Sequence, residues 1–92
     1  MNKTEEQIKW ARLPTGGAVP FVPKLSKNRK GSERITKRAV RFGPKKGKKG
    51  FVDQNDRIWI RDRAHSGYPD HWDVQLDGGQ DYFKVDNDGN KL

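Results

Sequence analysis

The 92-residue sequence has no cysteine and a single methionine. Without cysteine there are no disulfide staples and no thiolate zinc sites. No apolar run approaches the ~20 residues that a bilayer-spanning helix needs. No apolar stretch follows the first charges, so no signal peptide is expected. Ser26, Ser32 and Ser66 are not set in any nucleophile-elbow pattern, so serine or cysteine nucleophilic catalysis is not expected either. Apolar residues are also scarce, 30% of the chain against 35% charged. The length is barely above the ~70–80 residues below which one core supplies only a few kcal/mol. Such a chain forms one small domain and excludes a large cofactor-binding enzyme.

Positive charge is what the sequence has in abundance. Twenty Lys and Arg face twelve Asp and Glu, a net charge of +8. The excess is unevenly placed. Residues 1–50 carry fifteen cations and three Glu, a net +12, whereas residues 51–92 carry five cations and nine Asp, a net −4. A cationic half points to a polyanionic partner, most often nucleic acid, bound through phosphate neutralisation and counterion release. The alternative is a solvated tail that only keeps the chain soluble.

Three segments follow from the pattern. Residues 1–13 are expected to form a short helix, with Thr4 and Gln7 as a capping box and Glu5 and Glu6 at its positive end. Ile8 and Ala11 lie one turn apart, and Pro14 with Gly16 and Gly17 ends the run. Residues 14–50 read as a long basic arm, punctuated by four Pro and six Gly, with no stable element expected without a partner. Within it, residues 32–42 suit either a short helix or a strand. Residues 51–92 read as an antiparallel β-meander. Arg57-Ile58-Trp59-Ile60-Arg61, His71-Trp72-Asp73-Val74-Gln75-Leu76 and Asp81-Tyr82-Phe83-Lys84-Val85 alternate, and Asp77-Gly78-Gly79 marks a turn. Phe51 and Val52 suit a further short strand. The fold class is therefore α+β: a small twisted antiparallel sheet of three to five strands, a short N-terminal helix and a long basic, Gly/Pro-rich arm.

Alternation sorts side chains by face. Trp72, Val74, Leu76, Phe83, Val85, Ile58 and Ile60 are expected on a core face under the helix. His71, Asp73, Gln75, Tyr82, Lys84, Arg57, Trp59 and Arg61 are expected on the other. That second face is either an ordinary solvated surface or a functional one. Its mixture of imidazole, carboxylate, amide, phenol and cations favours function, and Asp73 in mid-strand is unusual for an isolated sheet surface.

The face suits RNA cleavage, whose nucleophile, the ribose 2′-hydroxyl, belongs to the substrate. The reaction needs a base, an acid for the leaving 5′-oxygen and cations to stabilise the phosphorane. His71 is the candidate base or acid, and Asp73 either orients the imidazole or acts as base itself. Asp62 and His65 are further catalytic candidates, and Lys84 and Arg61 are candidates to stabilise the phosphate. Lys45, Lys46, Lys48, Lys49, Arg57, Arg61 and Gln75 are candidate RNA contacts, and Trp59 and Tyr82 candidate stacking platforms. No metal or cofactor is expected. The competing reading is a divalent metal held by His65, Asp70, His71 and Asp73 in a DNase, although their spacing fits no established motif. A third is a non-catalytic RNA- or DNA-binding module, which needs only the cations and aromatics.

Lys45-Lys46-Gly47-Lys48-Lys49-Gly50-Phe51, Arg57-Ile58-Trp59 and His71-Trp72-Asp73-Val74-Gln75, followed by Gly79, Tyr82 and Gly89, resemble the C-terminal toxin domains of bacterial polymorphic and contact-dependent growth-inhibition systems. The stretch from Trp72 to Gly89 is also similar to the end of the RNase domains of colicins that cut ribosomal or transfer RNA. The resemblance covers residues 43–92. It implies a small twisted sheet, metal-independent RNase activity on rRNA or tRNA, and a cognate acidic immunity protein. It further implies a domain delivered as part of a larger secreted or surface protein and acting in the target-cell cytoplasm. Asp73 matches the sheet aspartate of the ribosome-cutting colicins. Their histidine three residues further on is Leu76 here, and their following glutamate has no counterpart, so His71 is the imidazole the resemblance leaves available.

Overall fold

In the computed structural model, residues 3–62 and 70–92 are described. The fold is α+β, with one short helix and two antiparallel sheets of two and five strands. Helix α1 (Lys3–Ala11) leads through a proline- and glycine-rich stretch into β1 (Leu25–Lys27) and β2 (Glu33–Ile35), which pair as a two-stranded sheet. Strands β3 (Lys37–Ala39), β4 (Lys49–Val52), β5 (Ile58–Asp62), β6 (His71–Leu76) and β7 (Asp81–Val85) form the five-stranded meander in chain order. Among the described residues no helix is long and apolar enough to cross a membrane.

The region read as an arm is folded in this structure. Residues 14–50 contain β1, β2, β3 and the start of β4 and contribute buried Val19, Phe21, Ile35 and Val40. Residues 32–42 are extended, with Thr36 bonded through its amide to the Lys24 carbonyl and through its carbonyl to the Val52 amide. Three-residue strands are too short to display a period of two, so only tertiary hydrogen bonds mark them. The capping box is also replaced: Gln7 Oε1 accepts from the Ile35 amide at 3.2 Å and ties the helix to β2.

Two cores lie on opposite faces of the meander. The larger joins Trp59, Trp72, Val74 and Val85 to Leu13, Val19, Phe21 and Ile35, with Ile8 and Ala11 of α1 packed against it. Phe21 meets Trp59 edge-on at 5.3 Å between ring centroids, and Trp59 meets Trp72 at 6.2 Å. The smaller core is Val40, Val52, Ile58 and Ile60. Strand register explains the division, because Ile58 stands opposite Gln75, Trp59 opposite Val74 and Ile60 opposite Asp73. Directly opposed residues share a face. Trp59 and Arg61 therefore lie on the large-core face, and Ile58 and Ile60 lie on the polar face, the reverse of the assignment from alternation alone.

One glycine positions the loop that completes the polar face. Gly79, at φ 111°, follows β6, and a Cβ there would collide with the Phe42 carbonyl and the Val40 side chain. The close approach lets the Arg41 and Phe42 amides both bond to the Gly78 carbonyl, at 2.8 and 2.9 Å. The Gly47 amide bonds back to the Val40 carbonyl at 2.8 Å. Residues 40–48, at the end of the stretch expected as a basic arm without stable elements, are thus a β3–β4 connection docked on the β6–β7 turn.

Candidate active site

Register assembles the site. His71 on β6 faces Asp62 on β5, Asp73 faces Lys84 on β7, and Gln75 faces Tyr82. Because side chains two residues apart share a face, all six lie together. The docked β3–β4 loop adds Lys45, whose ammonium bridges Asp62 Oδ2 at 3.4 Å and Asp73 Oδ2 at 3.3 Å. Lys84 Nζ reaches Asp73 Oδ1 at 3.4 Å. His71 Nε2 lies 3.3 Å from Asp62 Oδ2 and 3.6 Å from Asp73 Oδ1. Pro44, Lys45, Asp62, Asp73, Gln75, Tyr82 and Lys84 line a cleft of about 190 Å³. Larger open grooves exist beside α1 and beside Arg38 and Asp77, but neither gathers this chemistry.

Burial ranks the groups by reach. His71 is fully buried and Asp73 almost so. The Asp62, Lys45 and Lys84 side chains keep 24%, 19% and 26% of their surface exposed, enough to touch a substrate. Tyr82 is half exposed at the rim. The imidazole thus sits beneath the carboxylates, with the ammonium groups above them.

The charges hold one another. Burial works against the Lys45 ammonium, but its hydrogen bond and attraction to Asp73, then those to Asp62, outweigh it and raise the Lys45 pKa above its ordinary 10.5. Burial likewise opposes the Asp62 carboxylate, yet Lys45, a hydrogen bond with Asp73 and the His71 charge hold its pKa below the ordinary 3.8. The stability from a depressed carboxyl is complete above its unfolded pKa and is lost as pH falls through the folded value. That from a raised ammonium is complete below its unfolded pKa and is lost as pH rises through the folded value. The melting-temperature difference between wild type and Lys45→Met should therefore stay level between 3.8 and 10.5 and shrink beyond either limit. An undiminished difference well into the acid limb would contradict the Asp62–Lys45 pairing.

No protein-family model, curated protein or solved structure matches this chain. What the site can do follows from its own residues.

Of the residues expected from the sequence, the fold brings together His71, Asp73, Asp62, Lys84, Lys45, Gln75 and Tyr82. Lys46 and Lys48 are exposed in the same β3–β4 connection as Lys45, whereas Lys49 shares the parity of Phe51 and lies on the opposite face, in a groove with Gln7 and Arg34. Trp59 cannot stack on a base: it is fully buried, donating Nε1–H to Asp53 Oδ2 at 2.9 Å. Arg57 is bound to the same carboxylate at 2.6 Å. Arg61 lies on the opposite face, over the Trp72 ring and bonded to Asn87. His65 lies outside the described residues. Of the expected metal set, Asp70 lies 3.5 Å from Arg61 on that opposite face and does not join His71 and Asp73. Asp62 does: one donor atom each from Asp62, His71 and Asp73 fall within 4.8 Å of one another. The Lys45 ammonium already bridges the two carboxylates of that trio.

Proposed function

We propose that this chain is an endoribonuclease that cuts rRNA or tRNA by attack of the ribose 2′-hydroxyl on its own phosphate. The supporting observation is the pairing of two ammonium groups with two carboxylates in one cleft above a buried imidazole. Lys45 and Lys84 hold the phosphate and stabilise the charge of the phosphorane. Asp62, the more exposed carboxylate, takes the 2′-hydroxyl proton as the new P–O2′ bond forms. The P–O5′ bond breaks, and Lys84 returns a proton to the leaving 5′-oxygen. Asp73 anchors both ammonium groups, and His71 positions the carboxylates from below.

The resemblance of residues 43–92 to toxin RNase domains supports a toxin role, within a larger delivered protein that acts in a target cell and is neutralised by an acidic immunity protein. The net +12 of residues 1–50 supplies the surface for RNA backbone and for such a partner. Incubation of the protein with total RNA in EDTA should give discrete rRNA or tRNA fragments. Intact RNA at every protein ratio would refute the proposal. The Asp62–His71–Asp73 donor set supports a second reading, a metal-dependent nuclease, which EDTA would silence.

A further inference from the structure

Gln75 is an anomaly in the cleft. It is 1% exposed, and among the described residues neither its Nε2 nor its Oε1 has a hydrogen-bond partner. Leaving both ends of a buried amide unpaired is unfavourable, and an apolar side chain of the same shape would be neutral or better for folding. Its neighbours emphasise this, because Gln75 stands opposite Ile58, within the small apolar core, and opposite half-exposed Tyr82. A polar group maintained against packing, in a site lined by charges, points to a ligand that pairs with it.

We infer that Gln75 and Tyr82 form a base-reading subsite for an unpaired nucleotide next to the reacting phosphate. The inference rests on the proposed endoribonuclease reading and specifies its substrate. Gln75 lies two residues along β6 from Asp73, about 6.7 Å, and Tyr82 is likewise two residues from Lys84 on β7. A phosphate on Lys45 and Lys84 would bring an attached nucleotide towards this pair. The planar amide offers one donor and one acceptor side by side, and the edge of a nucleobase offers the complement. The Tyr82 ring supplies the stacking surface, and rotation of this half-exposed side chain admits the base to the amide. A base already paired in a duplex has its Watson–Crick edge engaged, so the subsite selects loops and single strands.

Binding can be measured apart from cleavage. Tetranucleotides with 2′-deoxyribose lack the nucleophile, so the four homopolymers can be titrated into the full 92-residue protein by fluorescence anisotropy. Wild type should favour one base by about 5–150-fold, the range of a good bidentate contact. Gln75→Leu should bind all four within twofold while melting at the wild-type temperature or above. Gln75→Glu, which exchanges the donor for a second acceptor, should change the preferred base and serves if the leucine variant does not fold. Equal affinity of wild type for all four, no binding at all, or a preference unchanged in both variants would overturn the inference. A base preference lost in Gln75→Leu, with RNA left intact by wild type, would keep the subsite and refute the nuclease. RNA cleavage without base preference would do the reverse.

Discussion

Asp62→Asn is expected to slow RNA cleavage by about 10²–10⁴-fold, the usual contribution of a positioned general base. The amide keeps the size of the side chain but cannot accept the 2′-hydroxyl proton. Folding should respond only modestly. Asp62 is partly exposed, and its contact with Lys45 is a long ion pair at 3.4 Å, which after solvent screening contributes at most about 1 kcal/mol. The melting temperature should therefore fall by no more than about 8 °C, the shift that about 1 kcal/mol gives a domain of this size. Lys45 retains Asp73, so the phosphate site survives in the variant. Initial rates on a short RNA, read beside a thermal melt, separate the two effects. Full activity in Asp62→Asn would remove it as the base. A comparable loss caused by unfolding would make its role structural.

Asp53→Ala should show the opposite behaviour, a large loss of stability from a residue outside the site. Asp53 closes the β4–β5 hairpin, at the other end of β5 from Asp62. It is fully buried and accepts four hydrogen bonds. Oδ1 takes the Asn55 and Arg57 amides, both at 2.9 Å, and Oδ2 takes Arg57 Nε at 2.6 Å and Trp59 Nε1 at 2.9 Å. Truncation leaves those donors without their acceptor and the Arg57 cation without its partner. Breaking such a buried pair costs about 3–5 kcal/mol, a large part of the ~5–15 kcal/mol that holds a small domain together. The melting temperature should drop on the order of 20 °C. Asp53→Asn keeps one acceptor for the two amides but turns an NH₂ toward Arg57 and Trp59, so an intermediate loss is expected. Near-wild-type stability in Asp53→Ala would show that the hairpin is held by packing alone.

The parts of this fold that are legible in the sequence are those with local signals. Strands β6 and β7 alternate over five or six residues, and Asp77-Gly78-Gly79 marks the turn between them. Alternation alone therefore places His71, Asp73, Gln75, Tyr82 and Lys84 on one face. Parity within one strand does not fix its register against the next, however. Ile58-Trp59-Ile60 is apolar on both sides, the mark of a strand covered on both faces, and that run is the available sign that Trp59 is core. The longer-range devices leave no local pattern. Asp53 works through four donors within six residues of it, but nothing in Asp53-Gln54-Asn55-Asp56 distinguishes a buried acceptor from a turn residue. Lys45 is legible as one basic residue among several, and only the docking of residues 40–48 on the β6–β7 turn separates it from Lys46, Lys48 and Lys49. The short strands of residues 14–50 are hidden by the Pro and Gly content that the turns between them require.

The reaction assigned to the cleft leaves a chemical signature. Attack by the 2′-hydroxyl, with no external nucleophile, ends one fragment in a 2′,3′-cyclic phosphate and begins the next with a 5′-hydroxyl. A metal held by Asp62, His71 and Asp73 would instead activate water and leave a 5′- or 3′-monophosphate opposite a free hydroxyl. The decisive measurement is the end-group chemistry of RNA cut by the protein in EDTA. Cyclic phosphate paired with 5′-hydroxyl is the expected result. Cleavage that requires a divalent ion, or that yields ends from water attack without a cyclic intermediate, would contradict the account.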